Sequence, residues 1–275
     1  DHCHAAARTG CDVFRLSLTG NRYERPDVSK ASDASNKSLA ITAIGMVSPL
    51  GPDAATSCAA ARAGISRAAP IDGFQVYSEG DWAHVGVAGH AASVFAGGFE
   101  GFGRLVRLAS GAMDDLLRAS PVSGGEWPRT AICLAVPSAY FQAERMRLPD
   151  MPEEGKDRAR QQVELMLSAL LSRVCQLCGI PNDVETQFLF PQDQCGFVHA
   201  LLKAEMLIAG GRFDRCIVGG VDACTDAAAM ASAFSFNALK AGDQSSGYMP
   251  GEAASVLLVE HASAVRGRGG NGISE

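Results

Sequence analysis

The thiol of Cys195 occupies a position in this sequence that suits nucleophilic chemistry. It stands directly before the segment GFVHALLKAEMLIAGG, whose apolar spacing predicts a helix that ends at Gly210 and Gly211. The amide groups and dipole at the start of a helix favour a thiolate and an oxyanion, so a cysteine there can accept an acyl group. The alternative is a small buried apolar side chain, which is a common environment for free cysteine.

Two other patterns could have indicated a cofactor or a metal. Cys175 and Cys178 form a CxxC pair, but the sequence has no second pair and no paired histidines at zinc spacing. Core packing at the end of a helix is the better interpretation. The glycine pairs of the chain form neither GxGxxG nor a phosphate-binding loop. We therefore predict no cofactor and no metal.

Composition and charge exclude several classes of protein. The net charge of −6 and the isoelectric point near 5.5 argue against nucleic-acid binding, which needs a basic surface. No run of about 18 apolar residues indicates a membrane span. The 9 cysteines are scattered and odd in number, which favours a reducing cytoplasm over a disulfide framework. Arg104, Arg107 and Arg118 are expected to form a solvated helix face, with docking to an acidic partner protein as the alternative.

Alternating strands and helices predict an α/β fold. Residues 1–37 are polar and read as a disordered leader, while 38–275 form the predicted domain. Asp53 is expected to cap a helix that stops at Gly64, and the Gly-rich stretch 65–103 reads as irregular. Near-continuous apolar strands favour a mostly parallel or mixed sheet covered by helices. The further predicted strands and helices are 39–47, 103–120, 130–136, 150–178, 187–190, 196–211, 213–220 and 255–260.

Three collinear segments resemble the β-ketoacyl synthase family of the thiolase-like superfamily. They are ITAIGMVSPLG at 41–51, LLKAEMLIAGGRFDRCIVGGVDA at 201–223 and SGYMPGEAASVLLVE at 246–260. Together they resemble the N-terminal half of such an enzyme. The resemblance implies a layered sandwich of two similar halves, in which the two catalytic histidines come from a C-terminal half absent from this sequence. One half alone is expected to expose a large apolar face and to be inactive by itself.

The resemblance also implies an activity and partners. Members of the family take an acyl group from an acyl-carrier-protein thioester and condense it with a decarboxylated malonyl unit, in fatty-acid or polyketide biosynthesis. We therefore expect an acyltransferase-class enzyme that acts with an acyl carrier protein. We also expect it to form a homodimer, or a heterodimer with another ketosynthase. Neither nucleic acid nor a membrane is an expected partner.

The position of the nucleophile is open between two residues. Aligning His199 and the Gly219–Gly220 pair with the family pattern places Gln194, not a cysteine, at the nucleophile turn. Cys195 follows one residue later, about 100° further round a helix. Glutamine there resembles chain-length factors and decarboxylating ketosynthase-like domains, whereas a turn shorter by one residue would make Cys195 the nucleophile. His199 is expected to be a hydrogen-bonded structural residue, and Glu252 a buried, paired carboxylate.

Overall fold

The computed structural model describes residues 38–120, 122–138 and 153–267. The predicted leader at 1–37 lies outside them, as do the histidines His2 and His4. The described strands are β1 Leu39–Val47, β2 Ala69–Ser78, β3 Ala83–Gly89, β4 Thr130–Ala135, β5 Gln187–Phe190, β6 Arg215–Ala223 and β7 Glu252–His261. The described α-helices are α1 Ala54–Arg62, α2 Ser93–Ala96, α3 Gly101–Ala119, α4 Glu153–Ser168, α5 Leu170–Leu177, α6 Gly196–Ala209, α7 Ala227–Ser235 and α8 Ala262–Gly267.

The central sheet is mixed. Its five described strands lie in the order β1-β7-β6-β4-β5. β4 pairs in parallel with both β5 and β6, whereas β7 pairs antiparallel with β6 and β1. The expected α/β architecture is confirmed, and the sheet is mixed rather than largely parallel. An apolar run predicts a strand but not its direction, because burial on both faces removes the alternation that would distinguish sheet types.

Helices cover both faces of the sheet, and the side chains of β4 show which helices lie on each face. Ile132 and Leu134 of β4 lie in the core cluster with α3 and α5, whereas Cys133 lies in the cluster with α6. Successive strand residues point to opposite faces, so β4 is buried along its whole length. This arrangement explains the continuous apolar run in the sequence and places α6 against β4 and β6 on its face.

The stretch expected to be irregular, 65–103, contains a hairpin. β2 and β3 pair antiparallel, and their inner side chains pack on a separate small core. The prediction was wrong because most of the hairpin is exposed, which leaves no apolar run in the sequence. Two helix predictions also change. The segment 150–178 divides at Ala169 into α4 and α5, and the helix α7 was not expected.

Asp243 fastens the hairpin turn to the loop before β7. Its carboxylate accepts hydrogen bonds from Ser78 Oγ at 2.9 Å and from the amides of Glu79 at 2.6 Å and Gly80 at 3.3 Å. The Ser78 hydroxyl and these two amides lower the pKa of Asp243 below its ordinary value of 3.8. The bonds require the ionised carboxylate and therefore hold the turn at neutral pH.

This anchor should be lost in acid. A lowered pKa means that its stabilisation is complete above pH 3.8 and disappears as pH falls through the lower folded value. An NMR titration should show the Glu79 amide shifting at that pH in the wild type. In Asp243→Asn the shift should be missing, while the amide of Thr56, capped by Asp53 at 2.7 Å, still titrates. A Glu79 amide that titrates equally in both proteins would contradict the prediction.

Candidate active site

The candidate site lies at the edge where three parallel strands end. The last residues of β4 and β5 pair with each other, and the Val136 amide donates to the Phe190 carbonyl at 3.1 Å. After Phe190 the chain makes a 3-10 turn, Asp193–Cys195, and enters α6. In α/β sheets this carboxyl edge is where ligands commonly bind. The local fold thus gives the strand–turn–helix unit expected from the sequence.

Gln194 and Cys195 are both exposed in this turn. Cys195 is the N-cap residue of α6, with φ −85° and ψ −12°, and no side chain caps that helix end. The alternative of a buried apolar cysteine is therefore wrong, because the thiol side chain faces solvent. An exposed thiol at an uncapped helix start suits nucleophilic chemistry. A catalytic role for Gln194 or Cys195 stays a prediction.

The residue that makes the turn is Asp193, which the sequence analysis did not single out. Its φ is +48°, in the left-handed region that few residues other than glycine adopt. Its Oδ1 accepts a hydrogen bond from the Ser138 amide at 2.7 Å, which joins the ends of β4 and β5. Aspartate tolerates the left-handed region better than most residues, and that tolerance is the signal the sequence offered.

The start of α6 packs closely on the strands below it. A Cβ on Gly196 would lie 2.8 Å from the Phe190 carbonyl oxygen and 3.1 Å from Ala135 Cβ. Nearby, Gln192 Oε1 and His199 Nδ1 are buried without a hydrogen-bond partner among the described residues. The hydrogen-bonded role expected for His199 is therefore not seen at Nδ1. His84 and His90 lie on or beside the hairpin, and His261 ends β7.

Glu252 lies at the start of β7 and is buried and paired, as predicted. Its carboxylate binds the Arg104 guanidinium through two contacts, one of them Arg104 Nη2 to Oε1 at 2.8 Å. Thr225 Oγ1 and the Ala92 amide each donate to the same carboxylate at 2.6 Å. The hydrogen bond to Glu252 raises the pKa of Arg104. Arg104 was expected on a solvated face, and this is wrong because the first turn of α3 lies under β7.

The loop before β7 passes close to its neighbours, as its glycines predict. A Cβ on Gly247 would lie 2.7 Å from the backbone of Leu239 and Lys240. Gly251 forms an isolated parallel bridge with His90. The loop is therefore held against two other segments by backbone contacts, of which a side chain at Gly247 would disturb the first.

The CxxC pair behaves as core. Cys175 is buried and Cys178 is half-buried, with its thiol 3.6 Å from the Ser110 carbonyl oxygen. Burial raises the pKa of Cys175 to about 11 and that of Cys178 to about 12. Cys133 is also buried, and the Cys216 thiol and desolvation raise its pKa. These thiols stay protonated at neutral pH and so are poor metal ligands and nucleophiles.

Alkylation should separate these thiols from the exposed ones. At about pH 8, iodoacetamide should modify Cys58 and Cys195 at least about tenfold faster than Cys175 and Cys178 in the native protein. Peptide mass mapping over time gives the rates, and the unfolded protein is the control in which all four react alike. Rapid native modification of Cys178 would contradict its assignment to the core.

The described part of the chain contains neither a candidate metal site nor a candidate membrane-spanning helix. Within residues 38–120, 122–138 and 153–267, no cluster of histidine, cysteine, aspartate and glutamate could hold a metal ion. No helix in these ranges is long and apolar enough to cross a bilayer.

Comparison with known proteins identifies the fold. No protein-family model and no curated protein sequence matches the chain. Among solved structures, a type II polyketide synthase acyl-carrier protein in complex with its ketosynthase, bound to the hexaketide, matches with a TM-score of 0.60 and 15% identity. The match covers 86% of this chain and 61% of that one.

Two further structures match over similar lengths. The ishigamide ketosynthase/chain length factor has a TM-score of 0.54 and 23% identity, and the match covers 82% of this chain and 63% of that one. A β-ketoacyl synthase from Burkholderia phymatum STM815 has a TM-score of 0.58 and 17% identity, over 86% of this chain and 62% of that one. The chain thus shares the fold of these ketosynthase structures and spans 61% to 63% of the length of the three matched chains.

Proposed function

We propose that this chain is the N-terminal half of a β-ketoacyl synthase-like protein that acts on acyl-carrier-protein thioesters. The supporting observation is the turn Asp193–Cys195, which presents an exposed thiol at an uncapped helix start on the carboxyl edge of the sheet. The similar structures include a ketosynthase with its acyl-carrier protein, which supports the same substrate class here. The setting would be polyketide-type or fatty-acid biosynthesis, and a cytoplasmic location remains a prediction.

In this proposal Cys195 carries the acyl group. Its thiol loses a proton to solvent, the resulting thiolate attacks the thioester carbonyl, the bond to the carrier sulfur breaks, and the carrier leaves as a thiolate that takes up a proton from solvent. The positive end of the α6 dipole would stabilise the oxyanion of the tetrahedral intermediate, since the Cys195 and Gly196 amides already donate to the Gln192 and Asp193 carbonyls. Decarboxylation of the malonyl unit and attack of the resulting carbanion would use histidines outside this sequence. The 275 residues alone are therefore expected to be inactive.

A second candidate function follows from Gln194. Its amide is exposed in the same turn, one residue before the thiol, and an amide cannot form an acyl-enzyme. If Gln194 occupies the nucleophile position, the protein is a chain-length-factor-like or decarboxylating subunit. One similar structure is a ketosynthase/chain length factor, which suits this alternative equally well. A partner ketosynthase would then supply the thiol.

Labelling with an acyl-carrier thioester separates these functions. The intact protein is incubated with radiolabelled acyl-carrier protein, and the label is mapped by peptide mass spectrometry, with Cys195→Ser as the control. Label on Cys195 that Cys195→Ser abolishes supports the synthase. An unlabelled protein that co-purifies with a cysteine-bearing ketosynthase supports the second candidate. If the protein carries no label and co-purifies with no partner, both candidate functions are contradicted and the protein is an inactive product.

A partner layer is expected on the outer face of α6. Five residues of this helix are buried, the first three of them small, whereas a row of large apolar side chains, 37% to 54% exposed, faces outward. We call it the α6 outer row. Its members are Phe197, Val198, Leu201, Leu202 and Met206. Exposed apolar rows of this kind mark interfaces, here with the remaining half of the fold or with a second ketosynthase.

Charge on the α6 outer row should break assembly without unfolding the domain. Leu202→Lys in the intact protein should lower the dimer fraction in analytical ultracentrifugation, because burying an unpaired charge is costly. Helix content by circular dichroism should be unchanged. The matched variant Ala204→Lys, at a fully buried position on the inner face, should lose helix content as well. Unchanged assembly in Leu202→Lys would contradict an interface between this row and a second ketosynthase.

A further inference from the structure

The entry into α6 differs from that of other capped helices in this protein. Asp53 and Asp226 precede α1 and α7 with extended backbone, and their carboxylates accept from the amides of Thr56 and Ala229. That is the usual way for an aspartate to begin a helix. Cys195, the N-cap of α6, instead has helical backbone angles and makes no side-chain cap. The nearby aspartate, Asp193, points its carboxylate elsewhere.

The left-handed backbone of Asp193 also lacks an ordinary local reason. Outside glycine, positive φ occurs in the described residues at Trp82, Asp193 and Asn237. Trp82 lies in the turn of the β2–β3 hairpin, and Asn237 follows the end of α7, where left-handed residues are common. A strand-to-helix turn has no such requirement. Strained residues of this kind persist where surrounding contacts impose them, and they concentrate at functional sites.

The contact that imposes the strain is the hydrogen bond to Ser138. Asp193 Oδ1 accepts from the Ser138 amide at 2.7 Å, immediately after β4 ends. The carboxylate therefore spans from the end of β5 to the end of β4 instead of capping α6. It fixes the turn that carries Gln194 and Cys195 at the shared edge of the two strands.

We infer that Asp193 is the positioning residue of the candidate site. Its left-handed backbone forms the elbow, and its bond to Ser138 sets where the Gln194 amide and the Cys195 thiol face. The residue with the left-handed backbone is therefore Asp193, which precedes both Gln194 and Cys195. What the elbow positions rests on the proposed function, whereas the conformation and the anchor can be tested without any substrate.

Matched substitutions separate the backbone from the anchor. Asp193→Gly and Asp193→Ala both remove the carboxylate, but only glycine adopts positive φ at no steric cost. Asp193→Asn keeps a carbonyl acceptor and tolerates the left-handed region. In the intact protein we expect Asp193→Asn to have the highest thermal midpoint of the three variants, Asp193→Gly an intermediate one and Asp193→Ala the lowest. At position 194 the order should reverse, with Gln194→Ala at least as stable as Gln194→Gly, because alanine suits ordinary turn angles better.

The second readout is local to the site. The iodoacetamide rate of Cys195 should rise about threefold or more in Asp193→Ala as the turn loosens, and Asp193→Asn should restore the wild-type rate. Cys58, exposed on α1, is the internal control and should not change in any variant. A purely structural role would change both thiols or neither.

Two results would overturn the inference. If Asp193→Ala is as stable as Asp193→Gly, residue 193 does not form the elbow. If the Cys195 rate in Asp193→Ala equals that of the wild type, Asp193 does not position the thiol. Neither measurement uses an acyl thioester or a carrier protein, so failure of the proposed function would leave both readouts interpretable.

Discussion

Replacing Glu252 with glutamine is expected to lower the free energy of unfolding by about 3–5 kcal/mol. The side chain of Glu252 is fully buried and that of Arg104 is only 11% exposed, so the substitution leaves a guanidinium charge in the interior without its counterion. The same change weakens the bonds from Thr225 and Ala92, because one carboxylate oxygen becomes an amide nitrogen that cannot accept. Urea denaturation of the intact protein measures the loss.

A surface ion pair provides the matched control. Arg129 and Asp214 also make a two-contact pair, at 2.6 Å, but both side chains are about half exposed. Asp214→Asn should cost at most about 1 kcal/mol, because water and salt screen an exposed pair. Equal losses in Glu252→Gln and Asp214→Asn would contradict the burial argument.

A double substitution shows how much of the stability lost in Glu252→Gln comes from the unpaired charge of Arg104. Arg104→Met removes the guanidinium, so that Glu252→Gln on that background no longer strands a charge. The second substitution should then cost much less than it does in the wild type, since most of the single-variant loss is an uncompensated charge. Additive losses would mean that Glu252 stabilises the protein through Thr225 and Ala92 alone.

The Glu252 network shows what the sequence could predict about burial and what it could not. A carboxylate directly before an apolar strand predicts a buried, paired group, and this was confirmed. Its partner lies 148 residues earlier in the chain, and a helical stripe does not identify which arginine faces the core. Arg104, Arg107 and Arg118 looked alike in the sequence, yet Arg104 alone of these three is buried. The difference is tertiary, because the start of α3 lies against Glu252.

The strands were likewise predictable only where burial leaves a local signal in the sequence. The strands β1, β4, β6 and β7 were recognised because strands with little exposed surface produce apolar runs. The hairpin β2–β3 was missed, because partly solvated strands rich in glycine carry no such signal. Strand direction also has no local signature, so the antiparallel pairing of β7 with both β1 and β6 came only from the structure.

The candidate site was predicted as a segment but not in its detailed conformation. The strand–turn–helix order follows from where the apolar runs begin and end, whereas the sequence left open whether the Cys195 thiol is exposed or buried. The left-handed backbone at Asp193 occurs together with a hydrogen bond to Ser138, which is 55 positions away in sequence. A one-residue question, such as whether Gln194 or Cys195 holds the nucleophile position, is decided by contacts of this kind.

Gly45→Ala is expected to be at least as damaging as the loss of the buried ion pair. Gly45 lies in the interior of β1 opposite Val256, where α3 crosses the sheet. A Cβ there would lie 2.1 Å from the Ala112 carbonyl oxygen and 2.5 Å from the Leu116 amide nitrogen. Both are backbone atoms of a helix, so relief requires α3 to move away from the sheet rather than a side chain to rotate. We expect a loss of about 3 kcal/mol or more.

Gly103→Ala tests whether the effect arises from the close approach and not from glycine replacement in general. Gly103 lies on α3, and its added Cβ would meet only Phe99 Cδ1, at 3.6 Å, which is an ordinary contact. Alanine favours the helix there, so this variant should gain up to about 1 kcal/mol. Urea midpoints of the two variants should therefore move in opposite directions. A Gly45→Ala protein within about 1 kcal/mol of the wild type would mean that α3 does not press on β1 in solution.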